Sequence, residues 1–498
     1  PLPFFITLPI MAGVLAADLF VYFVAHNKDS RVPEEMTWSF GRALQSLSSG
    51  RPRKEKTKQV KDITMAFRGP AGEVPIPEQE TPEFELRVAA ETVVGQMFQR
   101  RAAQFDIAPV SEQAYAISYL VDGVREGAEK VAPNRALALI DFFKSAAGLE
   151  LEDRRKKQGG TIKLGKTGSP LMEAGVSTIG GKSGVRLSLI LEPAKAVMRE
   201  IDELGFLPNQ REDLRKMIDE QAGVVLVATP PDNGRTTLLY ALIRNHDAYT
   251  SNVQTVEVDK QAAIEGVRQN VFDPAVDGSE FSTTVRSILR RDPDVVGVAE
   301  MPDEDTAKEI ARADHPRTRT YFSMRGESSL QAIQLFAKAV GDQKEAAGCL
   351  HGVIAGKLAR RLCHNCRVPF KPKPEMLKKL GLPDSTTQLF RKGGQVLVKD
   401  KPETCPVCNG AGFFGQIGVY EVHPVDDEQR KLVAQNDITG LRAAWRQNKQ
   451  QSIQQAGIQH VVNGDTSIEE VVRITGGDGG GAAPSQKKPA AAQESSSA

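Results

Sequence analysis

The longest uninterrupted apolar run lies at residues 4–24, FFITLPIMAGVLAADLFVYFV, with Asp18 as its one charge. A run of about 20 apolar residues matches the thickness of a bilayer core and predicts a transmembrane helix. Asp18 is off-centre, where a charge costs less than the roughly 2.5 to 3.5 kcal/mol of the midplane. Arg51, Arg53, Lys54, Lys56, Lys58 and Lys61 follow the run, and positive charge close to one end places that end in the cytoplasm. A secretory leader is the rival reading, but the run is long for one and no basic segment precedes it. The expectation is an anchor in the inner or plasma membrane over 1–28, with the bulk of the chain cytoplasmic. Residues 29–80 are polar and carry Pro33, Pro52, Pro70, Pro75 and Pro77, the composition of a linker.

Beyond the linker the periodicity changes several times. Apolar positions fall at helical spacing over 83–105 and again over 135–147. Between them, 114–124 reads as a strand ending in an Asp122-Gly123 turn, which is hairpin chemistry. Further strands at 161–164, 174–178 and 185–191 complete an α+β domain over 81–192. From 193 to 348, strands at 224–227, 255–258, 295–298 and 320–323 alternate with helical patterns, as in a parallel α/β domain. A cysteine-bearing subdomain follows over 349–425, then a helical region over 426–475. The tail at 476–498 is Gly, Ala, Ser, Pro and Lys. It cannot bury enough apolar surface to fold.

Composition narrows the picture a little. At 498 residues, 40% apolar and 26% charged, the chain has room for several ordinary globular domains. A net charge of +1 supplies no general attraction for nucleic acid, so no such partner is expected. Four of the five cysteines form two pairs, Cys363-His364-Asn365-Cys366 and Cys405-Pro406-Val407-Cys408. Four thiolates in two such pairs fit tetrahedral zinc in a closed, structural site. Four buried free thiols, or a redox pair, are the alternatives. Cys349 is left over and reads as a buried apolar residue.

A second candidate site lies at 223–245, GVVLVATPPDNGRTTLLYALIRN. Strand, tight turn, basic residue, hydroxyl and helix is the layout of a phosphate-binding loop. The candidate ligands are Gly234, Arg235, Thr236 and Thr237. The residue types depart from the pattern G-x-x-x-x-G-K-[ST]. Thr229 occupies the first glycine position, Arg235 the lysine position, and Pro230 and Pro231 lack an N–H. Arginine keeps the charge as a planar fork, which is not equivalent to lysine at a tight site. By spacing alone a strand–turn–helix with no ligand stays open. Asp294 and Glu300 bound another apolar strand, where an acid can hold magnesium or polarise water. An ordinary buried strand with a solvated acid after it also stays open.

Taken in order, these motifs resemble the ATPases that power type II secretion and type IV pilus assembly, over roughly residues 80–474. The segments that carry the resemblance are VDGV (121–124), ELEDRRKKQGGTI (150–162), IDELGF (201–206), SILRRDPDVVGVAEMPDEDTA (287–307), the two cysteine pairs with their flanks, and NGDTSIEEVVRIT (463–475). The resemblance implies a P-loop, RecA-like α/β core preceded by the small α+β domain and carrying a tetracysteine zinc subdomain. It implies ATP and magnesium at the loop, Glu300 and Glu257 in catalysis, and Asp294, Arg154 and Arg155 at the nucleotide. It also implies hexamers, and as partners a secretion or pilus ATPase and membrane platform proteins.

The departures fall where phosphate would be touched. Thr229, Asp232 and Arg235 replace the first glycine, the middle glycine and the lysine of the family loop. Two family arginines fall at Ser118 and Leu120, two histidines at Thr318 and Arg325, and a further arginine at Thr161. The expectation is a pseudo-ATPase acting as an assembly or regulatory subunit. A slow but genuine ATPase, and a nucleotide-independent membrane interaction module, are the alternatives.

Overall fold

The computed structural model describes residues 63–111, 113–219, 223–273 and 280–476. The anchor expected at 4–24, the linker before residue 63 and the tail beyond Gly476 lie outside them. Among the described residues no helix is long and apolar enough to cross a membrane.

The first layer is an eight-stranded sheet in which every pairing is antiparallel. Its strands are β1 (Met65–Gly69), β2 (Gly72–Glu73), β3 (Gln104–Ser111), β4 (Ala114–Val121), β5 (Val124–Val131), β6 (Gln158–Lys166), β7 (Met172–Gly181) and β8 (Gly184–Leu191). Their order across the sheet is β2-β1-β6-β7-β8-β3-β4-β5. Helices Pro82–Arg100 and Pro133–Ala146 pack Val94, Met97, Ile140 and Phe143 against Phe67, Phe105, Ile117 and Leu189. One face of the sheet is thereby dry and the other polar, as the alternation along β4 requires.

Two expectations change here. The stretch expected as linker contributes β1, because Phe67 is fully buried in this core. The helix expected through 105 ends at Arg100, with Arg101 in the left-handed region, and Phe105 belongs to β3. An apolar residue in phase with a helix extends its pattern on paper, whereas pairing with β8 and β4 fixes the strand.

The second layer is a seven-stranded sheet, order β11-β10-β12-β13-β9-β14-β19. It comprises β9 (Gly223–Thr229), β10 (Val253–Glu257), β11 (Arg268–Val271), β12 (Val295–Val298), β13 (Arg319–Arg325), β14 (Leu350–Leu362) and β19 (Phe413–Pro424). All neighbours are parallel except β14 and β19. β9 is buried throughout. Val224, Leu226 and Ala228 face one helical layer, while Val225 and Val227 face the other. Burial on both faces is why its sequence is a continuous apolar run.

The chain between β14 and β19 carries β15 (Val368–Phe370) and β16 (Leu389–Arg391), an antiparallel pair with helix Pro374–Leu380 between them, and the hairpin of β17 (Gln395–Val398) and β18 (Lys401–Thr404). The expected border at 349 is therefore displaced. β14 and β19 belong to the large sheet, and the insertion runs from 363 to 412. Four short helices, Asp427–Ala434, Ile438–Gln447, Ile453–Val462 and Ile468–Thr475, close the chain. Asp426, Asp437, Ser452 and Ser467 cap their N-termini with side-chain hydrogen bonds.

Candidate functional site

Parallel strands present all their C-terminal ends on one side, and ligands of such sheets bind there. β9 ends at Thr229, and the turn 230–234 leads into helix Arg235–Arg244. Gly234 is left-handed (φ +76°) and a Cβ there would meet Leu358 only at ordinary contact distance, so conformation rather than space calls for glycine. Asp232 is also left-handed, at φ +60°. Asn233 stitches the turn: its amide donates to the Pro231 carbonyl at 2.8 Å and accepts from the Leu358 N–H at 2.9 Å.

Arg235 opens the helix and its guanidinium lies 3.3 Å from Glu300, two residues past the end of β12. The Arg235 side chain is 20% exposed. Burial lowers its pKa; the Glu300 charge opposes that and nearby Arg325 adds to it. Thr236 and Thr237 follow in the first turn, half-buried. Gly234, Arg235, Thr236, Thr237 and Glu300 are thus brought together at one end of the sheet.

Other candidates are elsewhere or otherwise engaged. Asp294 precedes β12 and accepts from the Asn252 N–H at 2.7 Å. It lies at the N-terminal edge, separated from Glu300 by the four-residue strand and so by about 13 Å or more. Glu257 ends β10 fully buried, accepting from the Tyr240 hydroxyl, from Thr255 at 2.6 Å and from Gln269 at 3.0 Å. Arg154 pairs with Asp141 at 2.7 Å within the small domain, and the Arg155 N–H donates to Asp153. Their loop does reach the large sheet through Lys157, which pairs with Asp259 at 2.7 Å. Thr318 donates to the Pro293 carbonyl at the far edge, whereas Arg325 ends β13 on the loop side.

Over residues 80–473 the chain matches the model of the type II/IV secretion system proteins. It belongs to that family.

Among relatives, type II secretion system protein E of Dickeya dadantii is 31% identical over 366 residues, 73% of this chain and 70% of that protein. Type II secretion system protein HxcR of Pseudomonas aeruginosa is 31% identical over 72% of this chain and 71% of its own length. Type IV pilus assembly ATPase PilB of Thermus thermophilus is 26% identical over 84% of this chain and 46% of that protein. The fold resembles the Legionella pneumophila ATPase DotB, with a TM-score of 0.52 at 14% identity, covering 80% of this chain and 97% of that one.

The second site of this family member is the cysteine cluster. Cys363, Cys366, Cys405 and Cys408 are buried with all four Sγ atoms within 4.8 Å of one another. Cys363 and Cys405 are 3.9 Å apart, Cys366 and Cys408 3.6 Å. Tetrahedral Zn–S bonds of about 2.3 Å require sulfur spacings near 3.8 Å. N–H groups of Gly394 and Gly412 and the Asn365 amide point at Cys366, Cys408 and Cys405, at 3.2, 3.2 and 3.3 Å. Donors aimed at sulfur stabilise thiolates, so the donor set fits a structural zinc ion.

Two features were missed by reading the sequence. A polar cleft of about 470 Å³ opens between Arg199, Asp202, Gly205, Arg361, Gln416 and His460. Its wall residue Gln416 lies against Gly123 of the β4–β5 turn. Two residues further on, Arg125 pairs with Asp232 of the loop at 3.3 Å. The signal was available: the turn pairs Val121 with Val124 and hence Leu120 with Arg125, placing an arginine directly across the hairpin from Leu120.

Proposed function

We propose that the protein is a pseudo-ATPase subunit of a secretion or pilus machine, assembling in a homo-hexamer, or in a hetero-hexamer with an active ATPase, against platform proteins of the inner membrane. The observation that carries this reading is the Arg235–Glu300 ion pair. The side chain at the lysine position is engaged with the acid that would activate water, in a turn where two prolines offer no N–H to a phosphate and Asp232 adds a negative charge. Burial of Glu257 in a satisfied network supports the same reading. Residues 4–24 are taken as the tether, and zinc at the four cysteines as a structural ion holding the insertion.

The test is turnover and nucleotide titration on the full chain with magnesium. The expected result is hydrolysis no faster than in Glu300→Gln and no saturable binding of a non-hydrolysable ATP analogue. Magnesium-dependent turnover that disappears in Glu300→Gln refutes the proposal.

One observation favours a slow ATPase instead: Arg235, Thr236 and Glu300 do converge at one strand end. In that reading lysine is the better phosphate ligand, since charge-assisted contacts contribute about 1.5 to 3 kcal/mol each. Arg235→Lys would then tighten nucleotide binding by roughly tenfold or more. Unchanged or weaker affinity excludes it.

A further inference from the structure

The turn residue Asp232 carries a carboxylate where the resembling loops carry glycine, and it points that charge at the small domain. Its Oδ2 lies 3.3 Å from Nη2 of Arg125 on β5. Arg125 does not reach out as a loose surface side chain. Its other terminal nitrogen is seated on Asp106, a carboxylate that is 1% exposed. Asp106 is in turn held by Ser188 and by Arg186 at 3.1 Å. One guanidinium therefore bridges a fixed carboxylate in the small domain and an exposed one in the loop, a fork suited to two anions at once.

Two more sets of contacts join the same surfaces. Asp122, in the β4–β5 turn, accepts from the Gly415 N–H at 3.0 Å and pairs with Arg101 at 3.6 Å, while Arg101 donates to the Phe413 carbonyl at 3.3 Å. Lys157 pairs with Asp259 beyond β10. These contacts hold the small domain against the turn and the start of β19.

We propose that Asp232 is a built-in anion that keeps the small domain docked on the loop without nucleotide. A phosphate bound at a glycine-rich turn is an anion that the turn and a cation from a neighbouring domain can share, so docking then follows nucleotide occupancy. Here the turn supplies its own negative charge to Arg125. An arriving phosphate would meet like charge from Asp232 and compete with it for that guanidinium. The arrangement is fixed in one docked state, which suits a subunit that contributes shape to an assembly. The inference rests on the reading that this site does not cycle nucleotide, and its test separates the two.

The experiment is hydrogen–deuterium exchange on the full chain in detergent, with and without magnesium and a non-hydrolysable ATP analogue, alongside an ATP turnover assay. The variants are Asp232→Asn, Arg125→Gln and the double substitution. Protection of the 121–125 turn and of 413–416 in the unchanged protein is expected to be the same with and without analogue. Asp232→Asn should raise exchange there about two- to five-fold, the range of one exposed ion pair, with exchange in β9 unchanged. The double variant should exceed Arg125→Gln by little, because Asp232 acts through Arg125. Asp232→Gly serves as a second variant, since glycine suits the left-handed turn at φ +60°; its exchange at 121–125 and 413–416 should rise as in Asp232→Asn, and exchange equal to that of the unchanged chain counts against the proposal.

Exchange in Asp232→Asn equal to that of the unchanged chain overturns the proposal. So does protection of the unchanged chain that depends on the analogue, or a double variant that simply adds the singles. Turnover by a chain whose protection ignores the analogue refutes the inactive reading alone and leaves the docking role of Asp232 supported.

Discussion

Acid should weaken this fold through His246, which follows helix Arg235–Arg244 at the end opposite the phosphate-type turn. Its Nε2 lies 2.8 Å from the hydroxyl of Tyr321, a residue buried in β13. The ring and the hydroxyl share one hydrogen bond, and it is burial that keeps the imidazole neutral. Burial, aided by the positive charge of Arg319, pushes the pKa down from 6.5 to about 4. The sign follows from linkage. As pH falls through about 6.5 the unfolded chain takes up a proton that the folded chain refuses, so stability is complete above that value and lost progressively down to about 4. Each unit is about 1.4 kcal/mol, and the two units between 6.5 and 4.5 amount to about 2.7 kcal/mol. Because the ring is only partly buried, about 2 kcal/mol is expected. The assay is urea unfolding at pH 7.0 and 4.5 for the unchanged chain and for His246→Gln, whose amide has both a donor and an acceptor for the tyrosine hydroxyl and does not titrate. Other groups, including His351, cancel in the difference. Parallel loss of stability in both proteins would refute the reasoning.

Removing zinc by chelation, or Cys405→Ser, should open the insertion to protease within 363–412 while the large sheet keeps its melting transition. Around the sulfurs only Val396 packs, while Phe370, Leu380, Leu382 and Leu389 pack instead with Val461 and Val471, so cutting should concentrate near the cysteines; a structural zinc supplies about 10 kcal/mol, and an uncut insertion after stoichiometric zinc release would contradict this. Glu470→Gln should lower stability by about 2 to 3 kcal/mol, read by thermal unfolding. Its buried carboxylate holds Arg360 of β14 and Arg473 of the last helix, at 2.8 Å for the latter. Hydrogen bonds and these charges outweigh burial and keep its pKa below the usual value, so its contribution is present at neutral pH and fades as pH drops below about 4.5. Gly205→Ala should cost about 2 to 4 kcal/mol in denaturant unfolding. At φ +106° its Cβ would stand 2.6 Å from the Gly418 carbonyl and from Ile417.

Much of this molecule was legible along the chain. The runs at 224–227, 295–298 and 320–323 became the central strands of the large sheet, because apolar β-branched runs bounded by turns have few other folds open to them. The cysteine pairs signalled their cluster because both halves of the ligand set are local motifs. The borders were less legible. β1 was hidden in a proline-bearing stretch, and β14 and β19 were hidden by the cysteines between them. In each case the partner strand lies far away in sequence.

The candidate site divides the same way. Gly234, Arg235, Thr236 and Thr237 are neighbours in sequence, so their common position follows from one turn and one helix. Asp294 and Glu300 were equally plausible as acids flanking one strand. Which of them joins the loop depends on strand direction across the sheet, and the parallel register of β9, β13 and β12 selects Glu300. The Arg125–Asp232 and Lys157–Asp259 pairs join residues about a hundred positions apart. The sequence by itself determined the order of elements, the metal-type donors and the 230–234 turn before helix Arg235–Arg244, since these rest on local periodicity and spacing. Only the tertiary structure decided that the turn's carboxylate, Asp232, faces an arginine from the small domain, because that contact exists only once two sheets with separate cores have packed together.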